Sequence, residues 1–262
     1  MAVVLPPDDA PRAPSSGALR SFLFDLAIAT AMMLGLSVAG MAAWMVAKAV
    51  FAAAGMARPD VDAVAGAIGQ PGALAQMLVA LFSTGGAALL LYFWRRPATA
   101  AERAASRRAL GKASTWGWIA LAVLAVLVAS QLGTRLSHWL GVDVTPTNEA
   151  MVEDGMDGFP WAMAVFAVLL APMYEELLFR RVLFGRLWHA GRPWLGMVLT
   201  SFAFALLHEL PGTQGWRESL PLWFVYGAMG MVFAGVYRRT GSLWAAIIAH
   251  ALNNAIALFA LT

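Results

Sequence analysis

The second half of the chain carries six polar residues inside stretches that are otherwise apolar. They are Glu175, Glu176, Arg180, His208, His250 and Asn254. An ionisable group inside a membrane helix costs at least about 2.5–3.5 kcal/mol on insertion scales, so each needs a partner or a function. Peptide hydrolysis needs an activated water, a donor to the developing oxyanion and a proton for the leaving amine. Carboxylate, imidazole and amide groups together supply all three.

The two adjacent glutamates cannot act in the same way. Neighbouring residues point about 100° apart on a helix, so Glu175 and Glu176 cannot serve one ligand set equally. Arg180 follows Glu176 by four residues, which is the spacing of an ion pair across one helical turn. Such a structural pair would explain Glu176 and leave Glu175 uncompensated. We therefore expect Glu175 to act in the chemistry, and Glu176 with Arg180 mainly to hold the helix.

His250 and Asn254 form a polar pair one turn apart on the last apolar stretch. His250 lies about 16 Å along its helix from Arg239, and Glu175 lies about 16 Å from Arg186, so both groups are predicted at a similar depth. A lone buried histidine or asparagine commonly joins helices by hydrogen bonds. The presence of glutamates at the same depth favours a shared site instead.

His208 fits this scheme less well. It lies about 24 Å along its helix from the nearest preceding arginine, which is deeper than Glu175 and His250. A tilted helix would bring the three groups level, and sequence length does not determine tilt. The adjacent Glu209, near a predicted helix end, is expected at the membrane interface.

Two arrangements of these residues remain open from the sequence. In the first, Glu175 and His208 polarise a water while His250 and Asn254 stabilise the tetrahedral intermediate. In the second, Glu175, His208 and His250 hold a divalent ion, for which zinc fits best, and its bound water is the nucleophile with Glu176 as a helper.

The composition predicts the membrane elements that must position these residues. Of the 262 residues, 60% are hydrophobic and only 13% are charged, far from the balance of soluble proteins. Apolar blocks long enough to span a bilayer, or nearly so, fall at residues 21–54, 72–94, 115–137, 160–186, 193–210, 219–237 and 242–261. We predict an all-α, polytopic transmembrane bundle of about seven to eight helices, the eighth arising if the block at 160–186 breaks near Pro172.

This organisation gives one membrane domain with three parts. Residues 1–19 are predicted to be a flexible N-terminal tail, residues 20–159 to be N-terminal transmembrane helices, and residues 160–262 to be the catalytic transmembrane region. The chain has no cysteine, which excludes disulfides, thiolate metal sites and a cysteine nucleophile.

Basic residues predict the orientation in the membrane. The loop at 95–113 holds six basic residues and one acid, so the positive-inside rule makes it cytoplasmic. The N-terminus is then cytoplasmic and the C-terminus extracytoplasmic. A preference for arginine over lysine and abundant alanine hint at a bacterium with a GC-rich genome, and hence at a cell (inner) membrane. The basic residues lie near helix ends, so membrane lipids are expected partners and nucleic acid is not.

The order of the motifs resembles a known family. Glu175-Glu176-x-x-x-Arg180, Phe204-x-x-x-His208 and His250-x-x-x-Asn254 follow one another on successive late helices. This pattern is similar to the CPBP (Abi) family of CAAX proteases and bacteriocin-processing enzymes, over roughly residues 160–258. The family includes type II CAAX prenyl endopeptidases, and its members are described both as glutamate-dependent enzymes and as metalloproteases. No HExxH, GxGD or GxSG motif of other peptidase classes is present.

The residues and the resemblance together predict an intramembrane endopeptidase. It would hydrolyse peptide bonds of membrane-associated or lipid-modified proteins or peptides through an activated water. A noncatalytic immunity or interaction protein of the same fold is an alternative. A proton-coupled transporter is another, because carboxylates and histidines within the membrane also form proton relays.

Overall fold

The computed structural model describes residues 17–56, 59–212 and 215–260, which form ten helices and no strand. The helices are α1 (Ala18–Ala54), α2 (Val61–Ile68), α3 (Ala73–Arg95), α4 (Ala100–Ala109), α5 (Ala113–Leu140), α6 (Glu149–Gly158), α7 (Pro160–His189), α8 (Pro193–His208), α9 (Trp216–Thr240) and α10 (Leu243–Phe259). The predicted all-α membrane bundle is confirmed.

Seven of these helices correspond to the seven predicted apolar blocks. Helices α1, α3, α5, α7 and α9 are long and apolar enough to cross a membrane, whereas α8 and α10 are apolar but shorter. The block at 160–186 forms one 30-residue helix, α7, and not two separate pieces. Helix α1 begins at Ala18, so the last two residues of the predicted tail are helical. Residues 1–16 of that predicted tail lie outside the described residues. The protein is a multi-pass membrane protein.

Helix α7, which carries both glutamates, departs from regular α-helical winding. It begins with Pro160, whose missing N–H costs nothing in the first turn. Two stretches, Phe166–Leu170 and Leu177–Phe184, are wound as π-helix. The first of them ends two residues before Pro172. Proline has no backbone N–H to donate, and its ring crowds the carbonyl four residues earlier. The six residues between the two π stretches, including Glu175 and Glu176, are α-helical.

Helices α8, α9 and α10 pack around α7 and α5. Helix α9 approaches α8 so closely at Gly230 that a Cβ there would lie 2.7 Å from the Cα of Ser201. Only glycine allows this contact, which fixes α8 against α9 one to two turns before His208. Helix α10 packs against both α5 and α7. The late helices thus enclose the middle of α7.

Ion pairs join the first half of the chain to the arginine-bearing end of α7. Asp25 of α1 is fully buried and pairs with Arg95 of α3 at 2.8 Å and with Arg186 of α7. Arg181 of α7 pairs with Glu102 of α4 at 2.8 Å. The beginning of α1 and the ends of α3 and α7 therefore lie together. This is the arrangement expected if the predicted arginine-rich side is a single face of the bundle.

Candidate active site

Glu175 and Glu176, in the middle of α7, contact different members of one cluster of polar side chains. Both residues are buried, Glu176 completely. Glu175 faces His208 at the end of α8 and His250 in the middle of α10, whereas Glu176 faces His250 and Arg180. Five of the six predicted residues thus form one continuous network.

Glu175 and the two histidines converge at a single carboxylate oxygen. Glu175 Oε2 lies 3.6 Å from His208 Nε2 and 3.9 Å from His250 Nε2. His208 is therefore level with Glu175, although its distance along the sequence placed it deeper. Helix α8 ends at His208, so the imidazole extends from the last turn of that helix toward α7.

The hydrogen bonds of the two histidines determine which ring nitrogen carries a proton. His208 Nδ1 lies 2.9 Å from the carbonyl oxygen of Phe204, and His250 Nδ1 lies 3.1 Å from Glu176 Oε1. Carbonyl and carboxylate oxygens only accept, so each Nδ1 donates a proton. In the neutral rings both Nε2 atoms then present lone pairs toward Glu175.

This geometry leaves Glu175 Oε2 without a hydrogen-bond donor among the described residues, although the atom is buried. A carboxylate oxygen opposite two lone pairs is unfavourable unless something positive or hydrogen-bonding lies between them. A water, a proton on one imidazole, or a cation would meet that need. The space between Glu175 and the two histidines is therefore suited to bind a water molecule, a proton or a cation.

Glu176 and Arg180 form the supporting side of the network. Glu176 Oε2 lies 2.9 Å from Arg180 Nε, as the four-residue spacing predicts, and both side chains are inaccessible to solvent. The guanidinium carbon of Arg180 also lies 5.3 Å from the ring centroid of Phe204 and 5.9 Å from that of Phe233. Cation–π attraction stabilises a buried guanidinium in such a position.

Asn254 is placed differently from the other five residues. In the first π stretch of α7, the N–H of Ala171 donates to the Phe166 carbonyl five residues back. In this register residue 172 would donate to the carbonyl of Ala167, but Pro172 has no N–H. Asn254 Nδ2 donates to this carbonyl at 2.9 Å. The amide of α10 thus replaces the missing backbone donor and fastens α10 to α7.

The three predicted metal ligands fit zinc by type, since two histidines and one carboxylate are an accepted set. Each histidine also donates its other ring nitrogen to an acceptor, as metal-bound histidines do. As the side chains stand, however, no group of three or more histidines, aspartates or glutamates in the described residues is arranged to hold a metal ion. A metal at Glu175, His208 and His250 remains a prediction.

Aromatic residues that the sequence analysis did not single out position the imidazoles. The ring of His250 stacks on Phe233, with centroids 4.7 Å apart, and the ring of His208 stacks on Tyr226 at 4.7 Å. Phe204 lies beside His208 at 4.2 Å. Tyr226 and Phe233 lie seven residues, or about two turns, apart on α9 and therefore on the same face. This spacing could have identified them only if α9 were already known to face the site.

The burial of two acids was not predicted from the sequence. Glu209, expected at the membrane interface, is fully buried within the protein, and Trp223 Nε1 donates to its backbone carbonyl at 2.8 Å. Asp25 was overlooked, although it is the only acid in the first apolar block. The cost of a charge in such a block could have marked it as a paired residue.

The part of the chain that carries this site is similar to known proteins. Residues 157–256 match the family model of the Rce1-like type II CAAX prenyl endopeptidases. The chain is 24% identical over 138 residues to a protein named Putative membrane peptidase YdiL of Bacillus subtilis (strain 168), covering 52% of each chain. It is 28% identical over 140 residues to UPF0177 protein YbdI of Lactococcus lactis subsp. lactis (strain IL1403), covering 51% of this chain and 71% of that protein. The match thus spans about half the length of YdiL. No solved structure matches the chain significantly.

The matched region contains all six predicted residues and begins just before α7. It is also the region that the motifs on α7, α8 and α10 marked from the sequence. Over residues 157–256 the chain is therefore similar to the Rce1-like type II CAAX prenyl endopeptidases.

Proposed function

We propose that this protein is an intramembrane endopeptidase that hydrolyses peptide bonds of membrane-associated or lipid-modified proteins or peptides through an activated water. The observation that carries the proposal is the buried Glu175 carboxylate oxygen, which faces two imidazole nitrogens and has no donor of its own among the described residues. A water at this position would contact a carboxylate and two further acceptors. The match of residues 157–256 to the Rce1-like family model supports the same activity.

Each residue of the network has a role in the proposed reaction. Glu175 accepts a proton from the water, which then attacks the scissile carbonyl carbon. His250 contacts Glu176 through Nδ1 and faces Glu175 through Nε2, so it lies where a proton can pass from Glu175 to the leaving amine. His208, held by the Phe204 carbonyl and the Tyr226 ring, orients the water on its open side.

The remaining motif residues act through these three. Arg180 neutralises Glu176, and Glu176 fixes the tautomer and the orientation of His250. Asn254 holds α10 against α7 through the Ala167 carbonyl. If a divalent ion is bound by Glu175, His208 and His250, it would lower the pKa of the attacking water and polarise the carbonyl.

We further propose that the protein lies in a bacterial cell membrane with its N-terminus in the cytoplasm. The arginine-bearing ends of α3 and α7 and the basic helix α4 would then face the cytoplasm, as the positive-inside rule requires. Membrane lipids would surround the bundle, and the substrate would be a peptide or protein segment that reaches the middle of α7 from within the membrane or its surface.

The test compares cell membranes that contain the wild-type protein, the Glu175→Gln variant or the Glu153→Gln variant. Glu153 is an exposed acid on α6, so its substitution is a matched control. Quantitative membrane proteomics would search for shortened peptides. We expect fragments that depend on the wild-type protein, persist with Glu153→Gln and disappear with Glu175→Gln and with His208→Ala.

Identical fragments with all variants would refute the endopeptidase proposal. A protective or binding function that survives in the Glu175→Ala, His250→Ala double variant would favour the noncatalytic alternative. The metal arrangement has its own test, which is zinc analysis of purified active protein before and after substitution of His208 and His250. Negligible zinc in active protein would refute that arrangement.

A further inference from the structure

A cavity lies at the arginine-bearing end of the bundle. Its volume is about 550 Å³, within the range of about 300–1,000 Å³ that is typical of small-molecule sites. Residues of α3, α4, α7, α9 and α10 line it. None of the six motif residues is among them.

The cavity lies on the opposite side of α7 from Glu175. Met173 and Leu177 form its wall on α7 and are four residues apart on one face. Glu175 is two residues from each of them, which places it about 200° around the helix. The cavity is thus separate from the proposed active site.

The part of the cavity wall formed by Met173, Leu177, Trp244 and Ile247 is apolar and continues onto the outer surface of the bundle. Met173 on α7 is 44% exposed and Trp244 on α10 is 41% exposed, whereas Ile247 behind them is buried. An exposed apolar surface on a membrane helix is covered by acyl chains, because no other apolar medium is present. The apolar surface that acyl chains would cover is therefore continuous with the apolar part of the cavity wall.

The mouth of the cavity carries surplus positive charge. Arg103, Arg108 and Lys112 line it and are exposed. Glu102, the one acid among the lining residues, is already bound by Arg181 through two hydrogen bonds of 2.8 Å. Arg108 and Lys112 form no ion pair with any acid in the described residues. Two cations are thus available for an anionic group at the membrane surface.

We propose that this cavity binds an anionic phospholipid. The phosphate lies at Arg108 and Lys112, and one acyl chain lies along Met173, Leu177 and Ile247. Basic pockets between membrane helices on the cytoplasmic side bind anionic head groups in this way. The proposal stands whether or not the protein is a peptidase, since it uses none of the residues of the proposed active site.

The experiment measures lipid binding to the purified full-length protein in mixed micelles that contain phosphatidylglycerol or phosphatidylcholine. Trp244 and Trp188 line the cavity, so lipids with brominated acyl chains will quench their fluorescence when the chain enters. Native mass spectrometry counts the retained lipids independently. The variant is Arg108→Gln with Lys112→Gln. The matched control is Lys48→Gln with Arg135→Gln, which removes two exposed charges outside the cavity.

We expect the wild-type protein and the control to bind phosphatidylglycerol more tightly than phosphatidylcholine. Removing two cations near the surface should weaken phosphatidylglycerol binding by about 10- to 30-fold and leave phosphatidylcholine binding unchanged. Enlarging Leu177 to Trp should reduce retention of both lipids, because the acyl chain would lose its space.

Three results would overturn the proposal. The first is equal binding of both lipids by the wild-type protein, and the second is an equal loss in the variant and the control. The third is charge-dependent binding of inorganic phosphate, or of an apolar peptide with a free C-terminal carboxylate, without binding of phosphatidylglycerol. That last result would assign the cavity to a free anion or to a peptide end.

Discussion

The middle of α7 and its arginine-bearing end both carry buried or partly buried acids, but the carboxylate oxygens are paired differently in the two places. At the end, the two oxygens of Asp25 contact Arg95 and Arg186, and the two oxygens of Glu102 contact Arg181. In the middle, Glu175 Oε2 faces two imidazole nitrogens and has no donor among the described residues. The acids carry the same charge, but the two regions differ in whether every carboxylate oxygen has a hydrogen-bond donor.

This difference separates stability from chemistry. A buried acid whose oxygens are all paired holds helices together, and removal of its partner costs free energy of unfolding. A buried acid with an unsatisfied oxygen costs stability and is retained where it reacts. Glu176, although adjacent to Glu175, is closer to the paired acids, because Arg180 Nε lies 2.9 Å from its Oε2 and His250 Nδ1 lies 3.1 Å from its Oε1. The contact at Oε2 is an ion pair and not a well-aligned hydrogen bond.

The largest expected effect is on activity, from Glu175→Gln. Loss of a general base lowers the rate by about 10²- to 10⁴-fold. The midpoint of thermal unfolding in detergent should stay constant or rise, because the substitution removes an uncompensated charge. The measurement is the cleavage rate of a substrate found by proteomics, with Glu153→Gln as the control. A normal cleavage rate with Glu175→Gln would show that the unpaired carboxylate in the middle of α7 is not needed for catalysis.

The next effect is on stability, from Asp25→Asn. This substitution leaves Arg95 and Arg186 without their carboxylate, and breaking a buried ion pair costs about 3–5 kcal/mol. Both arginines are partly exposed, so we expect about 2–3 kcal/mol, seen as a lower unfolding midpoint. The exposed acid Asp143 provides the control, Asp143→Asn. If Asp25→Asn abolished cleavage while the unfolding midpoint stayed unchanged, Asp25 would belong to the chemistry instead.

A smaller effect is expected from Asn254→Ala, and it can be reversed. The substitution leaves the partly buried Ala167 carbonyl without its donor, at a cost of about 1 kcal/mol. Pro172→Ala restores a backbone N–H at the position that the π register requires. The double variant should therefore recover much of the stability and activity that Asn254→Ala loses.

This pair of substitutions also distinguishes two roles for Asn254. If the amide donates to the oxyanion of the intermediate, Pro172→Ala will restore the unfolding midpoint but not kcat. Recovery of kcat together with the midpoint would identify Asn254 as a positioning residue. The control is Asn148→Ala, which replaces an exposed asparagine before α6.

The smallest effect concerns the pH dependence of stability at the arginine-bearing end. Burial raises the pKa of Glu102, but hydrogen bonds from Arg181 and from the Thr99 backbone outweigh burial and lower the pKa from 4.5 to about 2. A depressed pKa contributes stability above the unfolded value and loses it as pH falls toward the folded value. The difference in unfolding midpoint between the wild-type protein and Glu102→Gln should be constant from neutral pH to about 5 and shrink between about 4.5 and 2.

Much of the fold and the candidate site could be predicted from the sequence, because membrane-spanning helices are recognised by their length and apolar composition. All seven apolar blocks are helices, and the Glu176–Arg180 pair follows from four-residue spacing alone. The burial of Glu209 could not be predicted, because it depends on the direction in which the chain turns after α8. The aromatic residues that stack on the histidines depend on how α9 is rotated, and α9 is apolar on several faces.

The sequence by itself determined the membrane setting, the helices and the residue types of the site, since these depend on local composition and on spacing within one helix. The tertiary structure decided which groups meet. It placed His208 3.6 Å from Glu175 through the end of a short helix, and it directed Asn254 to the Ala167 carbonyl that Pro172 leaves without a donor. Helix tilt, rotation and close approach at Gly230 are set by packing between distant segments, and no local pattern encodes them.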